Sequence, residues 1–127
     1  MLLIELGGGY IMKYTLKNNN TYLLFTFSGE YDFYKSVELI NSIKLECINK
    51  NILKVLADSR QVEKNGLSNL NRFNMGVEIG KVLNSKIQLA ILDNEKDINH
   101  LVEISANNRS SYVKTSPDRK ELLKWLS

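Results

Sequence analysis

One cysteine in 127 residues leaves no intrachain disulfide to close, and one histidine leaves no pair of imidazoles for a zinc site. Cys47 sits among apolar residues at helical spacing, the pattern of a buried thiol in a reducing cytosol. His100 has no ligand partner at metal spacing, so neither a metal nor a cofactor is expected. One proline and seven glycines are too few for a collagenous or low-complexity chain. Long apolar runs are missing too: none reaches the roughly 18 to 20 residues that cross a bilayer. The opening MLLIELGGGYIM lacks both the charged start and the apolar stretch of a signal peptide. A cytoplasmic protein without a membrane span is the expectation.

Charge of one sign is equally scarce. Residues 1–108 carry 12 cations and 12 acids, so the whole formal charge of +3 comes from the last nineteen residues. That is a local bias of a solvated terminal helix. A nucleic-acid binder would interleave basic residues with exposed aromatics or carry a reading motif, and neither is present.

What is there is a globular composition, 43 % hydrophobic and 24 % charged, in a length suited to one core. Ile11 to Lys17 and Thr21 to Ser28 are rich in Thr, Tyr, Phe and Leu, and the Asn18-Asn19-Asn20 run between them tolerates left-handed turns, which predicts a β-hairpin. Gly29 breaks the run, and Asp32 is placed to cap a helix reaching about Asn49. Phe33, Val37, Ile40, Ile43 and Cys47 form its apolar stripe. Ile52 to Asp58 reads as a buried strand and 59–67 as a connection.

Ser68 is the expected N-cap of a second helix to about Leu83, with Leu70, Phe73, Val77 and Leu83 inward. Gly76 and Gly80, one turn apart, predict a smooth strip where another backbone comes close. Lys86 to Asp93 is a further strand. Asn94 with Asp97 should start a third helix, burying Ile98, Leu101, Val102 and Ser105 and placing His100 near its middle. A short strand, Ser110 to Thr115, precedes a last helix opened by Ser116-Pro117-Asp118 with Ser116 as cap. Leu122, Trp125 and Leu126 close the core from it. The order β-β-α-β-α-β-α-β-α calls for crossovers of one hand and a mostly parallel sheet, with the hairpin as its antiparallel edge.

Catalytic signatures are missing. Gly7-Gly8-Gly9 precedes a strand, whereas a phosphate-binding turn lies between strand and helix. No nucleophile elbow occurs, and a lone histidine in a helix does not make a triad. No enzyme is expected. Open α/β sheets bind ligands at the carboxyl ends of their parallel strands. That places a candidate binding rim at Asp58, Ser59, Arg60 and Arg72 and, beside it, a candidate apolar pocket at Tyr31, Tyr34 and Phe73.

The runs VLADSR (55–60), NRFNMGVEIG (71–80) and KIQLAIL (86–92), the AxNR of Ala106, Asn108 and Arg109, and the terminal Trp125-Leu126 together resemble the small bacterial SpoIIAA-like proteins. These are also described as STAS-like or related to the CRAL–TRIO lipid-binding fold. The similarity spans residues 12–126. It implies a SpoIIAA-like β-α staircase: a mostly parallel sheet of four or five strands, an N-terminal hairpin, four amphipathic helices and no established enzymatic activity. It also implies a non-enzymatic regulatory module acting through a protein partner or by self-association, for instance as a homodimer. The alternative is a small carrier of an apolar or amphipathic, lipid-like ligand. The anti-sigma-factor antagonists carry an Asp-Ser-Ser-Gly run whose serine is phosphorylated; here Lys64-Asn65-Gly66-Leu67-Ser68 stands in its place, which makes Ser68 the candidate regulatory phosphosite.

Residues 1–11 contain a glycine tether, Gly7-Gly8-Gly9, and Met12 opens a pattern already complete as one SpoIIAA-like domain, 12–127. The first eleven residues are then an extension or an additional edge strand. A chain beginning at Met12 is expected to melt within a few degrees of the full chain. A loss of many degrees in a thermal melt would assign Leu2 to Leu6 to a structural strand instead.

Overall fold

In a computed structural model, which describes residues 11–109 and 111–127, the asparagine run turns the chain as its short amides allow. Asn20 takes a left-handed φ of 69°, and its N–H donates to Asn18 Oδ1 at 2.8 Å. Strands β1 (Lys13–Asn18) and β2 (Leu23–Glu30) therefore pair antiparallel. Gly29 does not end β2 but lies within it at φ 102°, where a Cβ would fall on the Ile11 carbonyl, so only glycine fits. The expectation for residues 1–11 falls almost wholly on residues outside those described.

Asp32 caps α1 (Phe33–Lys50) through its Oδ2, which accepts from Lys35 N at 2.8 Å. The buried stripe is Ser36, Leu39, Ile40, Ile43 and Cys47, turned from the predicted one at its first two positions. Ser36 can go inside because its Oγ donates to Phe33 O at 2.6 Å. Burial pushes the Cys47 thiol up to about 11, helped by Glu46, which leaves it inert at neutral pH.

Strand β3 (Lys54–Glu63) runs five residues past the predicted end at Asp58. Beyond Asp58 it loses β4 (Gln88–Leu92) as a neighbour but keeps β2 as far as Glu30–Glu63. β5 (Tyr112–Ser116) completes a sheet in the order β1-β2-β3-β4-β5, parallel from β2 onward. Crossovers that always step the same way and keep one hand put their helices on one face. That face carries α1, α2 (Asn69–Leu83) and α3 (Leu101–Asn107) over a core including Leu23, Phe25, Val55, Ile79, Leu89 and Val113. α4 (Arg119–Leu126) covers the other face, where Leu56, Ala90, Leu92, Leu122 and Leu126 form a second, smaller core. Trp125 packs on its margin and is only partly buried.

Two helix starts differ from expectation. Asn94 opens only a 3₁₀ turn, Glu95–Asp97, and α3 begins at Leu101 behind His100, which stands at the N-cap with φ 63°. Asp118 rather than Ser116 caps α4, its Oδ1 accepting from Lys120 N and Glu121 N. Ser116 ends β5 and accepts from Asp118 N while donating to Glu121.

The inward face of α2 is Gly76, Ile79, Gly80 and Leu83, leaving Leu70 at 67 % and Phe73 at 42 % exposure. The glycine strip is where α3 comes close: a Cβ on Gly76 would lie 2.6 Å from both Ser105 Cβ and Val102 O. Helix propensity alone would make Gly76→Ala a gain of about 1 kcal/mol. Backbone contact reverses the sign, and a net loss of roughly 1–3 kcal/mol is expected in urea unfolding. A stabilised variant would show that α3 moves away freely.

Candidate functional site

Side-chain alternation decides which strand residues meet. Val55 and Ala57 face the larger core and Leu56 the smaller one, so Ser59 should point with the first pair and Asp58 and Arg60 with Leu56. Arg60 indeed clamps Asp58, with Nε to Oδ1 at 3.0 Å and NH2 to Oδ2 at 2.8 Å. Burial by itself raises the Asp58 carboxyl, but the Arg60 hydrogen bonds and charge, with Arg119 of α4, outweigh it and hold the group below its ordinary value. Between Thr26–Asp58 and Ser28–Gln61 the register slips by one residue, a bulge in β3. After it the even residues Val62 and Lys64 face the larger core.

Under α1, α2 and α3, at the carboxyl ends of the parallel strands, this produces a cavity of about 130 Å³. Its depth is apolar, with Phe27, Ile40, Ile43, Ala57, Ile79 and Leu89 among the walls, and its mouth is polar, with Ser59, Lys64, Arg72, Asp93, Asp97 and His100. Lys64 Nζ is the knot of that mouth. It lies 2.9 Å from Asp93 Oδ1 and 3.7 Å from Asp97 Oδ2, and donates to Ser59 O at 2.8 Å and Val62 O at 3.2 Å. Its side chain is 11 % exposed and that of Asp93 9 %. Arg72 NH1 donates to Asp97 O at 2.7 Å, joining α2 to the loop before α3. Ser59 Oγ donates to Leu92 O at 3.2 Å.

The predicted rim is thus divided by the sheet. Ser59 and Arg72 line the cavity, whereas Asp58 and Arg60 pair toward α4, and Arg60 borders a second, polar groove of about 380 Å³ with Glu63, Asn94 and Lys96. The predicted pocket is divided as well. Tyr31 lines the cavity; Tyr34 is 80 % exposed, and the Phe73 ring lies outside under the Arg109 guanidinium, 5.4 Å from its centroid. Ser68 caps α2, its Oγ accepting from Asn71 N at 3.1 Å, and is exposed. Lys64 was within reach of sequence reasoning only through the bulge, which has no sequence signature here. Among the described residues no cluster of three or more His, Cys, Asp or Glu side chains could hold a metal. No described helix is long and apolar enough to cross a membrane.

Replacing Lys64 by methionine would leave Asp93 buried without its counter-charge. A loss of about 3–5 kcal/mol is expected in chemical denaturation, and Asp93→Asn added to it should recover part of that loss. Wild-type stability in Lys64→Met would mean that the knot carries nothing.

No family model and no curated protein matches the sequence. Among solved structures, the crystal structure of an anti-sigma factor antagonist from Mycobacterium paratuberculosis superposes with a TM-score of 0.59, over 91 % of this chain and 94 % of that one, at 10 % identity. The fold is therefore that of the SpoIIAA-like, STAS-type proteins, as the resemblance of the sequence implies.

Proposed function

We propose that this chain is a non-enzymatic STAS-type regulatory module that works in the cytoplasm by binding a protein partner. The observation that carries the reading is the fold shared with an anti-sigma factor antagonist over nearly the whole of both chains. By that analogy the partner is an anti-sigma-type regulatory protein. The start of α2 supports it: Ser68, Leu70 and Phe73 are exposed within two turns, and the first turn contains no acid to neutralise the positive end of the helix. Phosphate on Ser68 would gain from that dipole and from free amides, while putting nearly two negative charges beside an apolar contact.

Ser68→Ala removes one cap, about 1 kcal/mol, and the protein stays folded. Pull-downs from the native host are expected to recover one partner with wild type and Ser68→Ala, and to lose it with Ser68→Asp and Leu70→Asp. Equal recovery from all four chains would refute the α2 surface, and recovery of further copies of the chain alone would replace the partner by self-association. A second reading, the small carrier, is favoured by one specific observation, the apolar cavity with its polar mouth.

A further inference from the structure

The hydroxyl of Tyr31 is buried at the cavity and has no hydrogen-bond partner among the described residues. The Ser36 hydroxyl lies near enough to influence the phenol, but its own hydrogen goes to Phe33 O and no bond between the two hydroxyls has acceptable geometry. A buried orphan phenol is destabilising, and native structures rarely keep one without a ligand or an ordered water to satisfy it. Burial raises the phenol's pKa, so the group stays protonated and offers a donor. Arg72, whose charge acts on Tyr31, also lines the cavity. Among the described residues it makes one hydrogen bond, to a main-chain carbonyl, and no carboxylate pairs with it.

Several other polar groups at the mouth have partners within the protein. Asp93 and Asp97 face Lys64; the Ser59 hydroxyl donates to Leu92 O. Asn99 bonds Asn69 and Leu101 N, and His100 Nδ1 meets Glu103 at 3.0 Å. Tyr31 Oη–H and the remaining N–H groups of Arg72 are donors without a partner among the described residues. A ligand that satisfies these two side chains must bring acceptors at one end and apolar surface at the other. The cavity, at about 130 Å³, is close to the roughly 150 Å³ that takes a benzene ring elsewhere.

We propose that the cavity binds a small amphipathic carboxylate, an aromatic or short-chain acid, with its tail between the sheet and α1–α2 and its carboxylate on Arg72 and Tyr31. Planar guanidinium and carboxylate match in a bidentate pair, and the phenol adds a third donor. This rests on the carrier reading and gives it a ligand class. It uses other side chains than the partner surface on α2, because Arg72 lines the cavity while Phe73 lies outside.

The test is calorimetric titration of the full chain with benzoate and hexanoate, against benzyl alcohol and hexanol as neutral counterparts. Benzoate or hexanoate is expected to bind at least tenfold more tightly than its alcohol. Tyr31→Phe, which keeps the ring, should weaken acid binding several-fold, and Arg72→Met should abolish the preference for acids while leaving alcohol binding in place. If the alcohols bind as well as the acids and Arg72→Met changes nothing, carboxylate selection is wrong and the carrier reading survives. If no probe binds at millimolar concentration and a crystal structure finds only water on Tyr31 Oη, both fail together.

Discussion

The bulge in β3 is the constraint on which the polar architecture depends. A strand presents alternate residues to alternate faces, and without the extra residue between Asp58 and Gln61 the side chains of Val62 and Lys64 would follow Asp58 toward α4. The slip returns them to the face that carries three helices. Lys64 then reaches Asp93 at the end of β4 and Asp97 in the loop beyond it, while Arg72 secures the same loop from α2. The end of β3, the start of α2 and the segment from Asp93 to Asp97 are thereby tied at one point, where the cavity opens. Asp58 and Arg60, left on the far side, pair with each other.

A second constraint acts along α2. The helix has larger side chains to bury than Gly76 and Gly80, yet these are the residues turned inward, Gly76 against the backbone of α3 and Gly80 against Arg109 just after it. Close approach of the two backbones buries Ile79 and Leu83 on the same side as the glycines. Leu70 and Phe73 are consequently rotated outward. Arg109 covers the Phe73 ring, and its aliphatic part fills the space over Gly80. The exposed apolar start of α2 follows from where its glycines lie.

The element order and the parallel sheet were legible because hydrophobic period and cap chemistry agree over most of the chain. Asp32 and Ser68 cap where their spacing to apolar residues says, and the glycine pair marks a close contact as its cost implies. What failed to read through depends on tertiary context. Ser36 looks polar in sequence and is buried because its hydroxyl is satisfied within its own turn; Ser116 looks like a cap, but β5 keeps it in the strand and Asp118 takes the role. Asn94 and Asp97 have capping spacing, yet the chain must first pass over the cavity mouth, so a 3₁₀ turn and a left-handed His100 precede α3. The site was the least legible part, since one inserted residue in β3 reassigns every later side chain to the opposite face. Tyr31, Ser59 and Arg72 do reach the cavity; Lys64, which organises its mouth, gives no local sign of doing so.

α2 carries residues of both proposed sites. Ser68 and Leu70 lie on the outer side of its first turns, and Arg72, one turn from the cap, points inward to the cavity and holds the loop before α3 through Asp97 O. A ligand that drew the Arg72 guanidinium onto its carboxylate would compete with or reinforce that bond, and either change would act one turn from Ser68. Coupling between two sites is reciprocal: whatever a bound acid does to partner affinity, a bound partner does to affinity for the acid. Only differential interaction with two arrangements of the helix start can produce such coupling. The features able to provide it are the Arg72 hydrogen bond to Asp97 O, a phenol without a partner among the described residues, and a helix start joined to the loop before α3 by the Asn69–Asn99 bond.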